Sequence, residues 1–250
     1  LIPAPVNVHS HGFQRAMSGL TEYRGPDPRD SFWTWRKLMF NFLEQLTPEI
    51  VGSIAAFVQM EMLEAGYGTN VEFHYLHHDK NGNPYDNISE MSDRILEATN
   101  QTGIGLTLLP VLYQYGGCDR RPLGEGQKRF GNNIDQFSKL FQKVKTGLKL
   151  NSKDTLMGLA PHSLRAVDPN NFQDIKELAG KKPIHMHLAE QVAEIEEVKS
   201  FWGARPVEWV LDNIDVDEQW CMIHCTQMKN HEVVSLARSG AVAGLCPITE

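Results

Sequence analysis

The stretch VHSHGF at residues 8–13 decides the choice of fold. It follows a short apolar run that predicts a first strand at about 4–9. A doubly wound α/β sheet usually carries a glycine-rich phosphate turn at this place. Two histidines stand there instead, and the chain has no GxGxxG or Walker pattern. Because alternate side chains of a strand share one face, His9 and His11 are predicted to point together into the interior of a barrel.

Apolar runs and helix-period segments alternate along the rest of the chain. The runs predict six more strands, at about 70–75, 104–111, 155–161, 183–188, 219–225 and 240–246. Helical patterns lie between them at 47–66, 87–103, 132–145 and 190–201. The stretches 79–87 and 114–131 are predicted to be surface loops. Seven β-then-α units predict an α/β fold, a (β/α)8 TIM-type barrel that is incomplete here because its eighth strand is missing.

The composition is that of a globular protein and excludes several classes of partner. The formal net charge is −7 and no basic stripe occurs, which argues against nucleic acid as the main partner. No apolar run approaches the roughly 18–20 residues that span a bilayer, so no membrane partner is expected. The 4 cysteines form no CxxC pair. Free buried thiols and the absence of a charged leader region predict a cytoplasmic protein.

The two ends of the chain predict a fragment of a longer protein. The sequence does not begin with Met, and it stops at Glu250 directly after the apolar run at 241–245. A domain rarely ends just after a core strand. We therefore expect one partial barrel domain over residues 1–250.

Histidines end three of the seven predicted strands. His9 and His11 end the first, His187 ends the fifth within HMHLAE at 185–190, and His224 ends the sixth. The carboxyl ends of barrel strands form the mouth where active sites lie, and imidazole is a good zinc ligand. A metal site is therefore predicted, with the carboxylate of Glu190 nearby to move protons.

Other polar residues are predicted at the same mouth. Arg165 follows the fourth strand and offers a planar fork for a carboxylate, although a solvated loop charge is equally compatible with the sequence. Tyr75 ends the second strand and is either a substrate contact or a packing residue. Gln14 follows the first histidine pair. His185 points the same way as His187 but one layer deeper, as an interior histidine or as a participant.

Two further groups are interpreted as structural. Trp33 and Trp35 are expected in the core. The histidines of the local cluster after the second strand are expected to be structural or solvated, and they are His74, His77 and His78.

Longer strings at these places resemble a known family. The stretches NVHSHGFQRA at 7–16, SFWTWR at 31–36, EFHY at 72–75, HSLRAV at 162–167 and HLAEQ at 187–191 are similar to the formimidoylglutamate deiminases of the amidohydrolase superfamily. The resemblance runs from about residue 4 to residue 250. It covers most of a barrel, without the family's last strand and without its small β-rich domain.

The resemblance implies a role for each candidate residue. It implies that the metal ligands are His9, His11 and His187. It implies that the catalytic groups are Glu190 and His224. It implies that the residues around the substrate are Gln14, Tyr75, His162, Arg165 and Arg36. The family's Asp ligand at the end of strand eight is absent from this sequence, and Gln227 stands where the family pattern has a histidine.

The activity that the resemblance implies is the hydrolytic deimination of N-formimino-L-glutamate in histidine degradation. It needs one divalent metal ion, zinc (Zn) by expectation, and an acidic small-molecule substrate. A homodimer is also expected. Two alternatives stay open: a deaminase of a purine, pyrimidine or related amidine, and a non-catalytic metal-binding barrel.

Overall fold

The computed structural model describes residues 2–21, 32–148 and 153–248, with the backbone alone at 32–34. Within these ranges the chain alternates strands and helices. The strands are β1 Val6–Ser10, β2 Thr69–His74, β3 Gly105–Leu112, β4 Thr155–Met157, β5 Ala160–Pro161, β6 Ile184–Leu188, β7 Trp220–His224 and β8 Val242–Gly244. The α-helices are α1 Phe32–Leu43, α2 Pro48–Glu64, α3 Glu90–Thr102, α4 Ile134–Leu148, α5 Phe172–Ala179, α6 Val192–Trp202, α7 Pro206–Asn213 and α8 Asn230–Ser239.

The strands are parallel throughout and follow chain order around the sheet. One ladder runs β1-β2-β3-β4, with β5 also on β3, and a second runs β6-β7-β8. Single bridges from Leu159 to Ile184 and from Ser163 to His187 join the two. Within the described ranges no ladder connects β8 to β1. The parallel α/β architecture of the predicted barrel is therefore confirmed, with the barrel open between those two strands.

Residues at the helix ends fix where helices α2 and α3 begin and end. The Thr47 side chain accepts from the Ile50 amide at 3.3 Å, and Pro48 follows in the first turn of α2. Helix α3 ends at Gly103, whose positive φ of 77° is a conformation that glycine adopts without strain. Phe137 and Phe141 of α4 are buried against the sheet. No helix in the described ranges combines the length and the apolar composition that crossing a bilayer requires.

The fourth predicted strand is broken at Gly158. A Cβ at this position would lie 2.4 Å from the carbonyl oxygen of Pro183 and 2.6 Å from Leu109 Cδ2. The glycine thus lets the chain approach the start of β6, where the Leu159 amide donates to the Pro183 carbonyl at 3.1 Å. The prediction of one continuous strand at 155–161 was wrong because this close approach interrupts the ladder.

The prediction of a surface loop at 114–131 was wrong for its last part, at 125–130, whereas residues 119–125 and 79–87 are mostly exposed as expected. A 3-10 helix at Glu125–Phe130 turns inward and buries Gln127, Arg129 and Phe130. The guanidinium of Arg129 donates to the carbonyls of His78, Leu43 and Leu46. These backbone acceptors compensate the burial of its charge.

The expected free thiols are present. Cys118, Cys221 and Cys225 are buried and Cys246 is half-buried. The histidine cluster after β2 is structural: His74, His77 and His78 are all buried. His77 Nε2 lies 3.0 Å from the Val111 carbonyl oxygen, and His78 Nε2 lies 2.7 Å from that of Gly131.

Candidate active site

A cavity of about 560 Å³ opens at the carboxyl ends of the strands. Every candidate site residue of the sequence lines it. These residues are His9, His11, Gln14, Arg36, Tyr75, His162, Arg165, His187, Glu190 and His224. They come from five strand ends and from helix α1, so it is the parallel topology that brings them together.

Three imidazole nitrogens converge at the floor of the cavity. His9 Nε2 lies 3.1 Å from His11 Nε2 and 3.2 Å from His187 Nε2. The first two histidines stand on either side of Ser10 at the end of β1, and the third belongs to β6. The alternation of side chains along β1 therefore brings His9 and His11 to the same side, as predicted.

The other ring nitrogens decide which atoms carry protons. His11 Nδ1 lies 2.9 Å from the Phe73 carbonyl oxygen, and His187 Nδ1 lies 3.0 Å from that of His162. A carbonyl only accepts, so each Nδ1 carries the proton and each Nε2 of these neutral rings presents a lone pair. His9 Nε2 can donate to one of these lone pairs and not to both. This donor shortage fits a cation at the point of convergence.

Burial keeps the three rings neutral. It lowers the pKa of His11 to about 4, against the opposing effect of the Phe73 carbonyl. The pKa of His9 is well below its usual value because of burial and then of His11 nearby, and that of His187 because of burial and then of His162. Neutral imidazole is the form that binds metal ions. The three side chains are therefore in a ligating state at neutral pH.

His224 and Glu190 stand beside the converging nitrogens. The His224 ring stacks on that of His187 with centroids 5.4 Å apart, and its Nε2 lies 3.8 Å from Glu190 Oε1. His9, His187 and His224 also bring ring nitrogens within 4.8 Å of one another. The geometry thus leaves His224 able to ligate as well as to contact a substrate. His224 has a positive φ of 75°, and its side chain lines the cavity.

Arg165 places a largely buried positive charge in the same cavity, close to Glu190. Its Nη2 lies 3.9 Å from Glu190 Oε2, and its Nε has no hydrogen-bond partner among the residues that the structure describes. Burial alone would lower the pKa of Arg165, but the carboxylates of Glu194 and Glu190 outweigh it and hold the pKa above its usual value. The guanidinium therefore stays charged, with donors left for a ligand. The interpretation as a solvated loop charge does not hold.

His162 lies beside His187 of the converging histidines, with ring centroids 4.8 Å apart. Its Nδ1 lies 3.0 Å from Ser163 Oγ, and its backbone carbonyl accepts a hydrogen bond from His187 Nδ1. Burial, with Arg165 as the next cause, holds the pKa of His162 well below its usual value. The ring is thus neutral and faces the cavity as a hydrogen-bonding group.

Gln14 and Tyr75 form a polar pair at a third wall. The Gln14 amide donates to the Tyr75 hydroxyl at 2.9 Å. Burial raises the pKa of Tyr75, so the hydroxyl stays protonated and can still donate. Arg36 of α1 lies half-buried across the mouth, with its guanidinium 5.2 Å from the centre of the Phe40 ring.

Several lining residues were missed by sequence reasoning. Tyr113 follows β3 directly, so the same strand-end rule that found Tyr75 predicts it. Phe130 was hidden by the wrong surface-loop prediction. Met39 and Phe40 lie on α1, which was not predicted as a helix.

The predictions for Trp33, Trp35 and His185 compare with the structure as follows. Trp35 packs on the core as expected but also lines the cavity, and the side chain of Trp33 lies outside the described residues. His185 is buried beneath the cavity, and burial lowers its pKa to about 4.

Comparisons with known proteins agree with this architecture. The family model described as "Amidohydrolase family" matches residues 1–250. Formimidoylglutamate deiminase from Pseudomonas aeruginosa is 45% identical over 100% of this chain and 55% of its own length. The crystal structure of an amidohydrolase from Brucella melitensis superposes with a TM-score of 0.95 at 46% identity, over 99% of this chain and 55% of that one.

A more distant structure shares the fold. An adenosine deaminase from Xanthomonas campestris, solved with bound zinc, superposes with a TM-score of 0.77 at 19% identity, over 98% of this chain and 49% of that one. The chain spans about half the length of the relatives it matches. Since the family model covers the whole sequence, the chain belongs to the amidohydrolase family.

Proposed function

We propose that the protein hydrolyses N-formimino-L-glutamate to N-formyl-L-glutamate and ammonia. The observation that carries the proposal is the charged, largely buried Arg165 in the same cavity as the converging imidazoles, with an Nε that meets no hydrogen-bond partner in the described part of the chain. An acidic substrate supplies a carboxylate that can accept from the remaining guanidinium donors of Arg165, and a neutral substrate does not. The similarity to a protein named formimidoylglutamate deiminase supports the same substrate.

The metal is proposed to be one zinc ion held by His9, His11 and His187. The three Nε2 atoms face one another and too few of them carry a proton to pair them all, which supports a cation between them. Neutral imidazole is also a common zinc ligand. The adenosine deaminase of the same fold was solved with zinc. A divalent ion at such a site lowers the pKa of water and so supplies a nucleophile at neutral pH.

Glu190 and His224 are proposed to handle the protons and the developing charge. Water adds to the formimino carbon, forming a C–O bond, and the bond from that carbon to the terminal nitrogen breaks. Glu190 moves a proton to this nitrogen, so that ammonia leaves rather than amide ion. His224, 3.8 Å from the Glu190 carboxylate, orients the reacting group and stabilises its charge.

Substrate binding is assigned to the polar walls of the cavity. Arg165 and His162 hold the carboxylates of the glutamate portion, and Arg36 adds a second cation at the mouth. The Gln14–Tyr75 pair offers a fixed hydroxyl and amide to the remaining polar atoms. A homodimer and a cytoplasmic location stay predictions.

The test is ammonia release by the protein expressed from its complete gene and supplied with zinc. We expect turnover of N-formimino-L-glutamate and none of guanine or cytosine. Replacement of Glu190 by Gln is expected to lower kcat by about 10²–10⁴-fold with the metal retained. Release from none of the three compounds, with metal bound, would reject the proposal in favour of a non-catalytic barrel.

One observation favours a second candidate, a deaminase of a nucleobase or related amidine. The aromatic rings of Trp35, Phe40, Tyr113 and Phe130 line the same cavity and offer faces on which a base could stack. Turnover of guanine or cytosine in the same assay would keep the proposed metal ligands and change the substrate.

A further inference from the structure

We propose that Glu194 is the positioning residue that fixes Glu190 in its place above the metal-site histidines. Glu194 lies in the first turn of α6 and is 2% exposed. Nothing in its sequence setting distinguishes it from the other acidic residues of the helix. The inference rests on the proposed function, because the group that it positions is the proposed proton carrier.

The carboxylate of Glu194 accepts hydrogen bonds from the backbone amides of Glu190 itself and of Ala189, the residue before it. Its Oε1 accepts from the Ala189 amide at 3.1 Å, and its Oε2 accepts from the Glu190 amide at 2.9 Å. Both oxygens are thus used by consecutive peptide groups. A fork of this kind fixes the orientation of a peptide as well as its distance.

The turn that Glu194 holds is a strained one. Ala189 is fully buried with a φ of 53°, a left-handed conformation that disfavours a residue with a Cβ. On the other side of the turn, the Ala189 carbonyl accepts from the Gln227 amide at 2.8 Å. Surrounding contacts must therefore hold this conformation, and Glu194 supplies two of them.

The Glu190 side chain has little else to hold it. Its carboxylate oxygens lie 3.8 Å from His224 Nε2 and 3.9 Å from Arg165 Nη2, both beyond hydrogen-bond distance. Its location therefore depends on its backbone, which Glu194 holds together with the Gln227 amide on the other side of the turn. Loss of the Glu194 contacts should therefore release Glu190 without removing any group that touches the substrate.

Arg165 balances the charge of Glu194. Around the Arg165 guanidinium the attracting carboxylates are Glu194, Glu190 and Glu197, in that order of effect for the first two. Burial raises the pKa of Glu194, and Arg165 together with the amides of Glu190 and Ala189 opposes that rise. A glutamine at this position keeps one acceptor oxygen, but it loses the second acceptor and the charge.

The test compares Glu194→Gln with a matched control in the zinc-loaded protein expressed from its complete gene. The control is Glu232→Gln, since Glu232 is also a buried carboxylate (1% exposed) that accepts from a backbone amide, that of Lys229, and pairs with an arginine, Arg205. We expect kcat for N-formimino-L-glutamate to fall about 10–100-fold in Glu194→Gln, with KM within about threefold and the metal content unchanged. The control is expected to keep the wild-type kcat.

A double variant separates positioning from general stability. If Glu194 acts through Glu190, the variant with Glu190→Gln and Glu194→Gln together is as slow as Glu190→Gln alone. A double variant slower by the product of the two single effects overturns the proposal. So does a Glu194→Gln variant whose kcat equals that of the control. Should Glu194→Gln fail to fold, Glu194→Asp keeps the charge, cannot reach both amides, and carries the same comparison.

Hydrogen exchange provides a readout that does not depend on turnover. The amides of Ala189 and Glu190 are expected to exchange faster in Glu194→Gln than in the wild type, with the amides of β7 unchanged. If the wild type releases no ammonia, the proposed function fails, yet this exchange still decides the positioning role. Unchanged exchange at both amides overturns it.

Discussion

At the scale of single residues, the convergence of several ring nitrogens distinguishes His9, His11 and His187 from the other buried histidines. His77 and His78 each satisfy Nε2 with a backbone carbonyl, and their Nδ1 atoms are buried without a partner among the described residues, but no second imidazole nitrogen faces them at hydrogen-bond distance. His11 and His187 do the same with Nδ1, but their Nε2 atoms both face His9 Nε2. Lone pairs without donors cost free energy when buried, and a cation removes that cost.

Metal removal is therefore expected to destabilise the protein. A ligand that binds only the folded state adds RT ln(1 + [L]/Kd), or about 2.7 kcal/mol at a hundredfold excess over Kd. Zinc added to the chelated protein should raise Tm, and the rise should be much smaller in His187→Asn. Thermal unfolding with and without zinc measures both. An equal rise in the two proteins would place the bound metal elsewhere.

Arg165 is expected to select the acidic substrate. Replacement by Gln removes a buried charge that would bind a carboxylate, at a cost of about 2–5 kcal/mol in transition-state binding. We expect kcat/KM for N-formimino-L-glutamate to fall at least about thirtyfold. Formamidine, which has no carboxylate, is the control substrate and should be affected far less. An equal loss on both compounds would assign Arg165 to the chemistry or the fold instead.

At the scale of elements, helix α1 forms one wall of the cavity and is fastened by the 3-10 helix at Glu125–Phe130. Arg129 binds the carbonyls of Leu43 and Leu46 at the end of α1. A Cβ on Gly126 would lie 2.2 Å from Phe40 Cγ, so the glycine leaves room for this ring. The wall that carries Arg36 thus depends on a contact far along the chain.

The substitution Gly126→Ala should move this wall. Overpacking of this kind costs about 1–3 kcal/mol, and the displaced Phe40 should raise KM more than it lowers kcat. Gly124→Ala is the matched control, because a Cβ there would meet Gln127 Oε1 at an ordinary 3.5 Å. Steady-state kinetics and Tm of the two variants give the comparison. Equal KM values would show that α1 does not shape the site.

Strand-end residues could be predicted from the sequence, whereas residues fixed by distant partners could not. The period of two in β1 and the position of His187 at the end of β6 are local properties, so these site residues were found. The burial of Arg129 is matched by carbonyls at and just after the end of α1, those of Leu43 and Leu46, which lie more than 80 positions away along the chain. Glu194 has the pattern of a helix surface residue, and only the left-handed turn at Ala189 reveals its role.

At the scale of the whole molecule, the barrel interior buries many titratable groups in their neutral forms. Burial lowers the pKa of His74 to about 3 and that of His185 to about 4. It raises the pKa of Glu72 to about 7, against the hydrogen bonds from Gly12, Ser10 and Asn70. The free energy of unfolding therefore depends on pH, and the histidines and Glu72 change it in opposite directions.

The histidines are expected to dominate this linkage. Between about pH 6.5 and pH 4, unfolded His74 and His185 bind protons that the folded protein does not, so the free energy of unfolding falls as pH falls. Each contributes about 1.4 kcal/mol per pH unit. Glu72 opposes them between about pH 7 and 4.5 because the folded protein holds its proton. Urea unfolding of the chelated protein should thus give a lower free energy at pH 5 than at pH 6.5.

A single variant checks this assignment. His74→Gln is expected to reduce the slope of unfolding free energy against pH by about one proton. A free energy of unfolding that stays constant or rises as pH falls from 6.5 to 5 would contradict the account.

The measurement that tests the central claim most directly is the identity of both products of one turnover. The wild-type protein, expressed from its complete gene and loaded with zinc, would be given N-formimino-L-glutamate in ¹⁸O-labelled water. The account predicts one ammonia per substrate and N-formyl-L-glutamate with a single ¹⁸O in the formyl group. Glutamate and formamide as products would mean that the other carbon–nitrogen bond breaks, and would contradict the proposed roles of Glu190 and Arg165.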